Sequence, residues 1–409
     1  MERPAPIGKF LFSRGSRRRT GGHRAGQEQR LNRIECLDGL RGLAALWVLI
    51  GHCLILTGFS LPILGKPDLG VDLFILLSGF LMTFQFQLRK DREDWARPAT
   101  WAAFWTRRFF RVSPLYFVLL AAALLAGKAI YADRVLIDGF LGQSLQEPER
   151  YTDASFSNVL LHVTYLFGLL PEYAFRTPLP DWSLGLEMQF YAVFPFAVLL
   201  AGRLGWIRTA LCVSLLAVAV AVLTDALGAA YPMPSFLPLK MHLFAAGMLI
   251  AAALERNAAA CLVIAAALAA IPLGGKTDPL HLAVREGILL GFFALVHWRS
   301  VPWIDRLSRL LGAPPFHWLG ELSFGVYLIH LLVLHRVAAW TIGQWAQDIP
   351  AAARFALTFA ITAPIAYALA YVAYRLVERP GQSLGRAIIA RFGRRKLARQ
   401  TRAEEYAAP

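Results

Sequence analysis

The chain has 409 residues, of which 57% are hydrophobic and only 17% are charged. In soluble domains about a quarter of all residues are charged, so this composition disfavours an ordinary soluble protein. The formal net charge of +15 would suit nucleic acid, but the basic residues lie at the chain ends and in loops beside apolar stretches. That distribution is typical of the cytoplasmic rim of a membrane protein. We therefore expect membrane lipid as a partner and no nucleic acid.

Long apolar runs predict an all-α, polytopic membrane protein. A bilayer core about 30 Å thick requires roughly 20 mainly apolar residues for each helix. In chain order, we predict ten membrane helices near residues 38–57, 70–88, 112–130, 186–202, 206–224, 239–254, 258–273, 284–298, 319–338 and 353–376. Together they predict a membrane-embedded domain, 37–380, between two basic cytoplasmic tails, 1–36 and 381–409.

The sidedness follows from the charged loops. The two tails and the loop 89–111 are rich in arginine and lysine, and the positive-inside rule assigns all three to the cytoplasm. Both termini are then cytoplasmic, which requires an even number of spans. The further apolar stretch 157–170 is short and contains polar residues, so we predict that it does not cross the membrane. The acidic loop 131–156 is expected on the outer side.

The first predicted span carries a polar stripe. Asp38, Arg41, Ala45, Val48 and His52 recur at helical spacing and share one face. Charged residues inside a membrane are costly and are therefore functional candidates. We interpret the stripe as one wall of a narrow channel that leads from the inner edge to an imidazole. The alternative is a structural His52, bonded to a neighbouring helix.

Two later spans bring further polar groups to a similar depth. Asp72 enters from the outer side, where its carboxylate would orient the His52 ring, although a helix cap is the alternative. Ser323, Tyr327 and His330 share a face, and His330 reaches about the depth of His52, so we expect the two histidines to meet. The remaining histidines are assigned structural or surface roles: His162, His242, His281, His297, His317 and His335.

An arginine cluster precedes the third predicted span. Arg107, Arg108 and Arg111 are followed closely by Tyr116. Arg108 and Arg111 are three residues apart, so their guanidinium groups can converge on one anion, and phosphate suits such forks. Anchoring under the positive-inside rule alone is the alternative.

A motif with a carboxylate opens the fourth predicted span. Glu187 enters the membrane from the outer side, so we expect it to face an acceptor hydroxyl that arrives there. Trp182, Ser183 and Tyr191 belong to the same motif. The two aromatic side chains suit either a sugar-stacking surface or an interfacial belt.

These segments resemble the acyltransferase-3 family of ten-helix membrane acyltransferases. The resemblance covers about residues 35–380 and is carried by six motifs in family order: Leu37-Asp-Gly-Leu-Arg-Gly42 with His52, Gly70-Val-Asp-Leu-Phe with Ser78-Gly-Phe80, Arg107-Arg-Phe-Phe-Arg111-Val-Ser-Pro-Leu-Tyr116, Trp182-Ser-Leu-Gly-Leu-Glu187-Met-Gln-Phe-Tyr191, Leu319 to His330, and Glu378-Arg-Pro380. One departure is Met188, because the family often has a second acidic residue in that motif.

The resemblance implies an enzyme that takes acyl groups, commonly acetyl, from acyl-coenzyme A and attaches them to hydroxyl groups of cell-surface or lipid-linked carbohydrates. It also implies a multi-pass protein of the bacterial cytoplasmic (inner) membrane. No metal is expected, and the acceptor, the acyl group and the oligomeric state stay open. A transporter or flippase is the alternative, but it predicts inverted repeats and broken helices that the sequence does not show.

The candidate residues then take three roles. The catalytic set is His52, Asp72, Glu187 and His330, with His52 either a general base or a transient acyl carrier and His330 or Tyr327 stabilising the oxyanion. The donor-binding set is Asp38, Arg41, Arg107, Arg108, Arg111 and Tyr116. The acceptor-binding set is Trp182, Ser183, Tyr191 and Tyr327.

Overall fold

The computed structural model describes residue 34 and residues 36–255, 257–345 and 348–391. These residues are mainly helical and contain no strand, so the all-α prediction is confirmed. Most of the predicted basic tails, residues 1–33 and 392–409, lies outside the described residues. Helical structure continues to Arg391, beyond the predicted end of the membrane domain at residue 380.

The helices follow one another through short connections. The first seven are α1 Cys36–Thr57, α2 Pro67–Arg89, α3 Pro98–Leu141, α4 Glu149–Thr152, α5 Phe156–Val163, α6 Trp182–Leu204 and α7 Trp206–Ala226. The next six are α8 Met241–Ala252, α9 Ala258–Ala269, α10 Pro279–His297, α11 Pro302–Leu311, α12 Pro314–Trp345 and α13 Ala351–Ala373. Several begin with proline, whose missing N–H is no loss in the first turn of a helix.

All ten predicted spans are helical in the structure. Eight helices in the described part of the chain are long and apolar enough to cross a membrane. The other two predicted spans correspond to α8 and α9, which have 12 residues each and so are only about 18 Å long. The stretch 157–170 forms the eight-residue α5 followed by short 3₁₀ turns, in agreement with the prediction that it does not cross.

Helix α3 differs most from the prediction. It has 44 residues where the hydropathy pattern indicated 112–130, and it ends where Gly142 adopts a left-handed conformation and its N–H bonds the carbonyl of Asp138. A helix of this length extends about 66 Å and continues well beyond a bilayer core. Arg108 and Arg111 therefore lie on the helix itself and not in a loop before it. The hydropathy pattern predicts only the part of a helix that lies in the bilayer core. The hydrogen-bonded helical backbone can continue into water on either side.

Helices α1 and α12 cross closely near their first turns. A side chain at Gly320 would collide with the backbone carbonyl of Asp38, and one at Gly42 would collide with Leu319. Glycine at such crossings lets two backbones approach. His52 and His330 each lie ten residues after one of these glycines, about 15 Å along a helix axis. The glycine crossing therefore sets the two histidines at the same level.

Helix α2 is fixed in a similar way against α8. A side chain at Gly79 would collide with the carbonyl of Phe244, and one at Gly247 would collide with the carbonyl of Leu76. This reciprocal contact holds α2 in place, and α2 forms one wall of the cavity described next.

Candidate active site

A cavity of about 340 Å³ opens between α1, α2, α3, α6, α12 and the helical segment after α13. Two helices supply its main walls, because their lining residues recur every three or four positions. On α2 these residues are Val71, Phe74, Ile75, Leu77, Ser78, Leu81, Met82 and Gln85. On α12 they are His317, Gly320, Glu321, Phe324 and Tyr327. Charged groups complete the lining: Arg41, Arg108 and Arg111, with Asp38, Glu187, Glu321 and Glu378.

Three arginines face this cavity, and they differ in their hydrogen-bond partners. Arg108 donates to Gln85 Oε1 at 2.5 Å, and its guanidinium lies 5.6 Å from the ring centre of Tyr191. Arg41 and Arg111 make no hydrogen bond or ion pair with any residue in the described ranges. A partly buried guanidinium normally pairs with an acceptor because its desolvation is costly. Both guanidinium groups are therefore available to bind an anion.

Two residues predicted to hold the donor point elsewhere. Arg107 is directed away from the cavity, and its guanidinium lies 3.3 Å from Glu93. Tyr116 is fully buried and donates a hydrogen bond of 3.0 Å to Asp181. Neither side chain lines the cavity, so the structure corrects the prediction for both. The cause for Arg107 is helical geometry, since adjacent residues project about 100° apart around a helix.

Glu187 belongs to the same cavity as the arginines. Its Oε1 accepts a hydrogen bond of 3.0 Å from Ser78 and another from the hydroxyl of Tyr191. Glu187 therefore lies in the same cavity as the arginines of the predicted donor site, and its expected contact with an acceptor hydroxyl stays a prediction. Of its motif, Ser183 and Tyr191 also line the cavity, whereas Trp182 is buried in the core.

His52 and His330 meet, as the sequence predicted. Nε2 of His330 lies 3.2 Å from Nδ1 of His52. The two Nδ1 atoms lie 2.9 Å and 3.1 Å from the backbone carbonyl oxygens of Val48 and Val326. A carbonyl oxygen only accepts, so we assign the proton of each neutral ring to Nδ1. Nε2 of His330 then accepts from His52, and Nε2 of His52 carries no proton. With this assignment the second nitrogen of His52 is unprotonated.

Asp72 does not orient His52, so this part of the prediction is wrong. The carboxylate lies 2.5 Å from Lys240 Nζ and 2.9 Å from Arg285 Nε. All three side chains are nearly inaccessible to solvent. Each oxygen of this buried carboxylate therefore pairs with one cation, and the two ion pairs offset the cost of its burial. The orienting contact of His52 comes from Val48 and His330 instead.

Tyr327 lies between the cavity and the histidine pair. It lines the cavity, and its ring centre is 6.2 Å from that of His330. Its hydroxyl donates to the carbonyl of Pro180 at 2.8 Å and lies 2.7 Å from Ser183 Oγ. The hydroxyl proton of Tyr327 is therefore bound to the carbonyl of Pro180, and Nε2 of His330 carries no proton that it could donate. The prediction that one of them stabilises an oxyanion is not compatible with these hydrogen bonds.

The expected channel along α1 is present only at its first two residues. Asp38 and Arg41 line the cavity, but Ala45 and Val48 are packed in the core and do not. The cavity follows α2 and α12 instead. Sequence analysis also missed His317, which lies 2.9 Å from Asp38 at the solvent-exposed end of the cavity. Its helical spacing to Glu321, Phe324 and Tyr327 was the available signal.

Comparisons with known proteins connect this site to a family. A family described as an acyltransferase domain matches residues 34–373. The chain is 26% identical over 384 residues to an acyltransferase of Streptomyces mycarofaciens, which covers 86% of this chain and 92% of the relative. It is 22% identical over 329 residues to a peptidoglycan O-acetyltransferase of Listeria monocytogenes, covering 74% of this chain and 49% of that relative. No solved structure is similar enough to count as a match.

The ion pairs of Asp72 generate a testable prediction. We expect Asp72→Asn to lower the free energy of unfolding by about 3–5 kcal/mol, because it leaves two buried cations without their carboxylate. The measurement is the thermal unfolding midpoint of the detergent-solubilised protein. Asp278→Asn is the matched control, since the Asp278 side chain is 45% exposed and asparagine preserves its helix cap. An unchanged midpoint for Asp72→Asn would contradict the structural role.

Proposed function

Because this chain belongs to the acyltransferase-3 family, we propose that it moves an acyl group, in the first instance acetyl, from acyl-coenzyme A to a hydroxyl group of a cell-surface or lipid-linked carbohydrate. Family membership and the long apolar helices establish a multi-pass membrane acyltransferase. The donor, the acceptor and the sidedness are our proposals, and each rests on a different observation.

The donor proposal rests on Arg41 and Arg111, two guanidinium groups in one cavity without an acceptor among the described residues. Coenzyme A carries several phosphate groups, and arginine binds phosphate oxygens in a fork. Arg108, held by Gln85 and Tyr191, adds a third positive charge beside them. This pair of unpartnered cations is the observation that supports acyl-coenzyme A most directly.

The chemistry centres on Nε2 of His52. As a general base it takes the proton of the acceptor hydroxyl while the oxygen attacks the thioester carbonyl. The carbon–sulfur bond then breaks, and the leaving thiolate takes the proton back from His52. In the carrier alternative the same nitrogen attacks the thioester carbonyl, the carbon–sulfur bond breaks, and coenzyme A leaves as its thiolate. The acceptor hydroxyl then takes the acyl group from the nitrogen and gives its proton to the thiolate. Both routes need an unprotonated Nε2, which the hydrogen bonds of Nδ1 support.

His330 is a positioning residue in this account. It accepts a hydrogen bond from Nδ1 of His52 and so holds the tautomer that leaves Nε2 available. This is the role that the sequence had suggested for Asp72. The resulting arrangement uses two neutral imidazoles, which suits a site enclosed by apolar helices better than a buried carboxylate does.

The acceptor class is supported by relatives. The match to a peptidoglycan O-acetyltransferase supports a carbohydrate acceptor, although the chain spans about half the length of that relative.

The measurement that tests this acceptor class is the content of O-acyl groups on surface glycans from cells with and without the gene. We expect one glycan to lose its O-acyl groups, and an unchanged set of glycans would contradict a carbohydrate acceptor.

The location rests on the basic loops. We propose the bacterial cytoplasmic membrane, with both termini in the cytoplasm. Single cysteines at Ala5 and Glu405, in a background without the native cysteines, should resist a membrane-impermeant maleimide in intact cells. Labelling at either position would contradict this topology.

Donor binding should depend on the geometry of Arg111. We expect Arg111→Lys to raise the Kd for coenzyme A about tenfold or more, because lysine keeps the charge but cannot form the fork. Arg107→Lys is the matched control and should bind like the parent, since Arg107 faces Glu93 outside the cavity. Calorimetry on both purified variants is the measurement. Equal affinity of parent and Arg111→Lys would leave Arg111 as a topological anchor only.

Transfer should depend on His52. We expect His52→Ala to fold normally but to lose transfer activity by about 10²–10⁴-fold, the range of a positioned acid or base. Activity is measured with labelled acetyl-coenzyme A and normalised to folded protein. Loss of transfer with donor hydrolysis intact would assign His52 to the acceptor side alone. Near-parental transfer would remove His52 from the mechanism.

A further inference from the structure

Glu378 has an unfilled hydrogen-bonding position in the cavity. It lies at the end of a π-helical turn, Tyr374–Glu378, that continues α13. The side chain is only 5% exposed and lines the cavity, and its Oε1 has no hydrogen-bond partner among the described residues. A buried acceptor without a donor is costly, and π turns are frequent at functional sites. Both features indicate that Glu378 serves a ligand.

The other three cavity carboxylates differ from Glu378, because each has a partner in the protein. Asp38 pairs with His317, and Glu321 accepts from the hydroxyl of Tyr374 at 3.1 Å. Glu187 is held by two hydroxyl groups. Among the carboxylates of this lining, Glu378 is therefore the one with an oxygen that has no hydrogen-bond donor in the described residues.

The position of Glu378 lies between the arginines and the histidine pair. Its carboxylate interacts electrostatically with Arg41 and Arg111. A Cβ atom at Gly325 would be 3.5 Å from its Oε1, so this oxygen lies next to α12 at the level of Gly325. Gly325 precedes His330 by five residues, about 7.5 Å along the helix axis.

This position matches one chemical group of the donor. In acyl-coenzyme A the phosphates and the thioester are joined by a pantetheine arm that contains secondary amides. Their N–H groups are hydrogen-bond donors, and a carboxylate is a strong acceptor for them. We propose that Glu378 binds the donor by accepting a hydrogen bond from an amide N–H of this arm, which sets how far the thioester reaches towards His52. The proposal rests on the proposed function.

A simpler role would be that of a counter-ion for Arg41 and Arg111. Two substitutions separate the roles. Glu378→Gln removes the charge but keeps an oxygen acceptor, whereas Glu378→Met removes both at nearly the same volume. A counter-ion would make the two variants equally defective. An acceptor for an amide makes only Glu378→Met defective.

The experiment measures KM and kcat with acetyl-coenzyme A and with acetyl-pantetheine, which keeps the amides but lacks the nucleotide. We expect Glu378→Met to raise KM for both donors, on the order of ten- to a hundredfold. Glu378→Gln should stay within about threefold of the parent, since the acceptor is retained. Equal defects in the two variants would overturn the proposal, as would a parental KM in Glu378→Met. A defect confined to acetyl-coenzyme A would assign Glu378 to the nucleotide and would also overturn it.

Arg111→Lys is the control that separates this inference from the proposed function. It should raise KM for acetyl-coenzyme A but not for acetyl-pantetheine, because the phosphates that it binds are absent from the shorter donor. A parental enzyme that uses neither donor would contradict the proposed function itself. If Glu378→Met fails to fold, as its thermal midpoint would show, a KM of Glu378→Gln far above the parental value still overturns the inference.

Discussion

The close crossing of α1 and α12 determines where the reactive groups lie. Because Gly42 and Gly320 allow the two backbones to touch, side chains at equal distances along both helices come together. At the solvent-exposed end this crossing pairs Asp38 with His317. About four turns deeper, it brings the rings of His52 and His330 within hydrogen-bond distance. Bulkier residues at the crossing would separate the helices and open both contacts.

The polar groups inside this bundle fall into two classes, and the difference indicates function. Asp72 pairs with Lys240 and Arg285, so every charged group of this network has a partner, and the network contributes to the structure. In the cavity, Arg41 and Arg111 have no acceptor and Glu378 has no donor among the described residues. Buried polar groups without hydrogen-bond partners are costly between apolar helices, and a ligand with complementary groups would remove that cost. In our proposal, the ligand that completes this set has phosphates at one end and N–H donors in the middle.

Much of this site was predictable from the sequence where a single helix carries the information. The shared depth of His52 and His330 follows from helical spacing, and the spacing of Arg108 and Arg111 indicated an anion site. The partners of Asp72 were not predictable, because Lys240 and Arg285 lie on helices whose neighbours the sequence pattern does not reveal. Glu378 belongs to one of the six motifs, but its place in the cavity was not predicted, for a different reason. A π turn changes which face a residue occupies, so regular helical spacing assigns its direction incorrectly.

The central claim is that the arginine cavity and the histidine pair are two ends of one transfer path. The most direct test is a cryo-electron microscopy structure with an acetyl-coenzyme A analogue whose thioester sulfur is replaced so that transfer cannot occur. The account predicts phosphate oxygens within hydrogen-bond distance of Arg41 and Arg111, and the acetyl carbonyl carbon directed towards Nε2 of His52. An analogue bound outside this cavity, or one whose acetyl end is directed away from the two histidines, would contradict it.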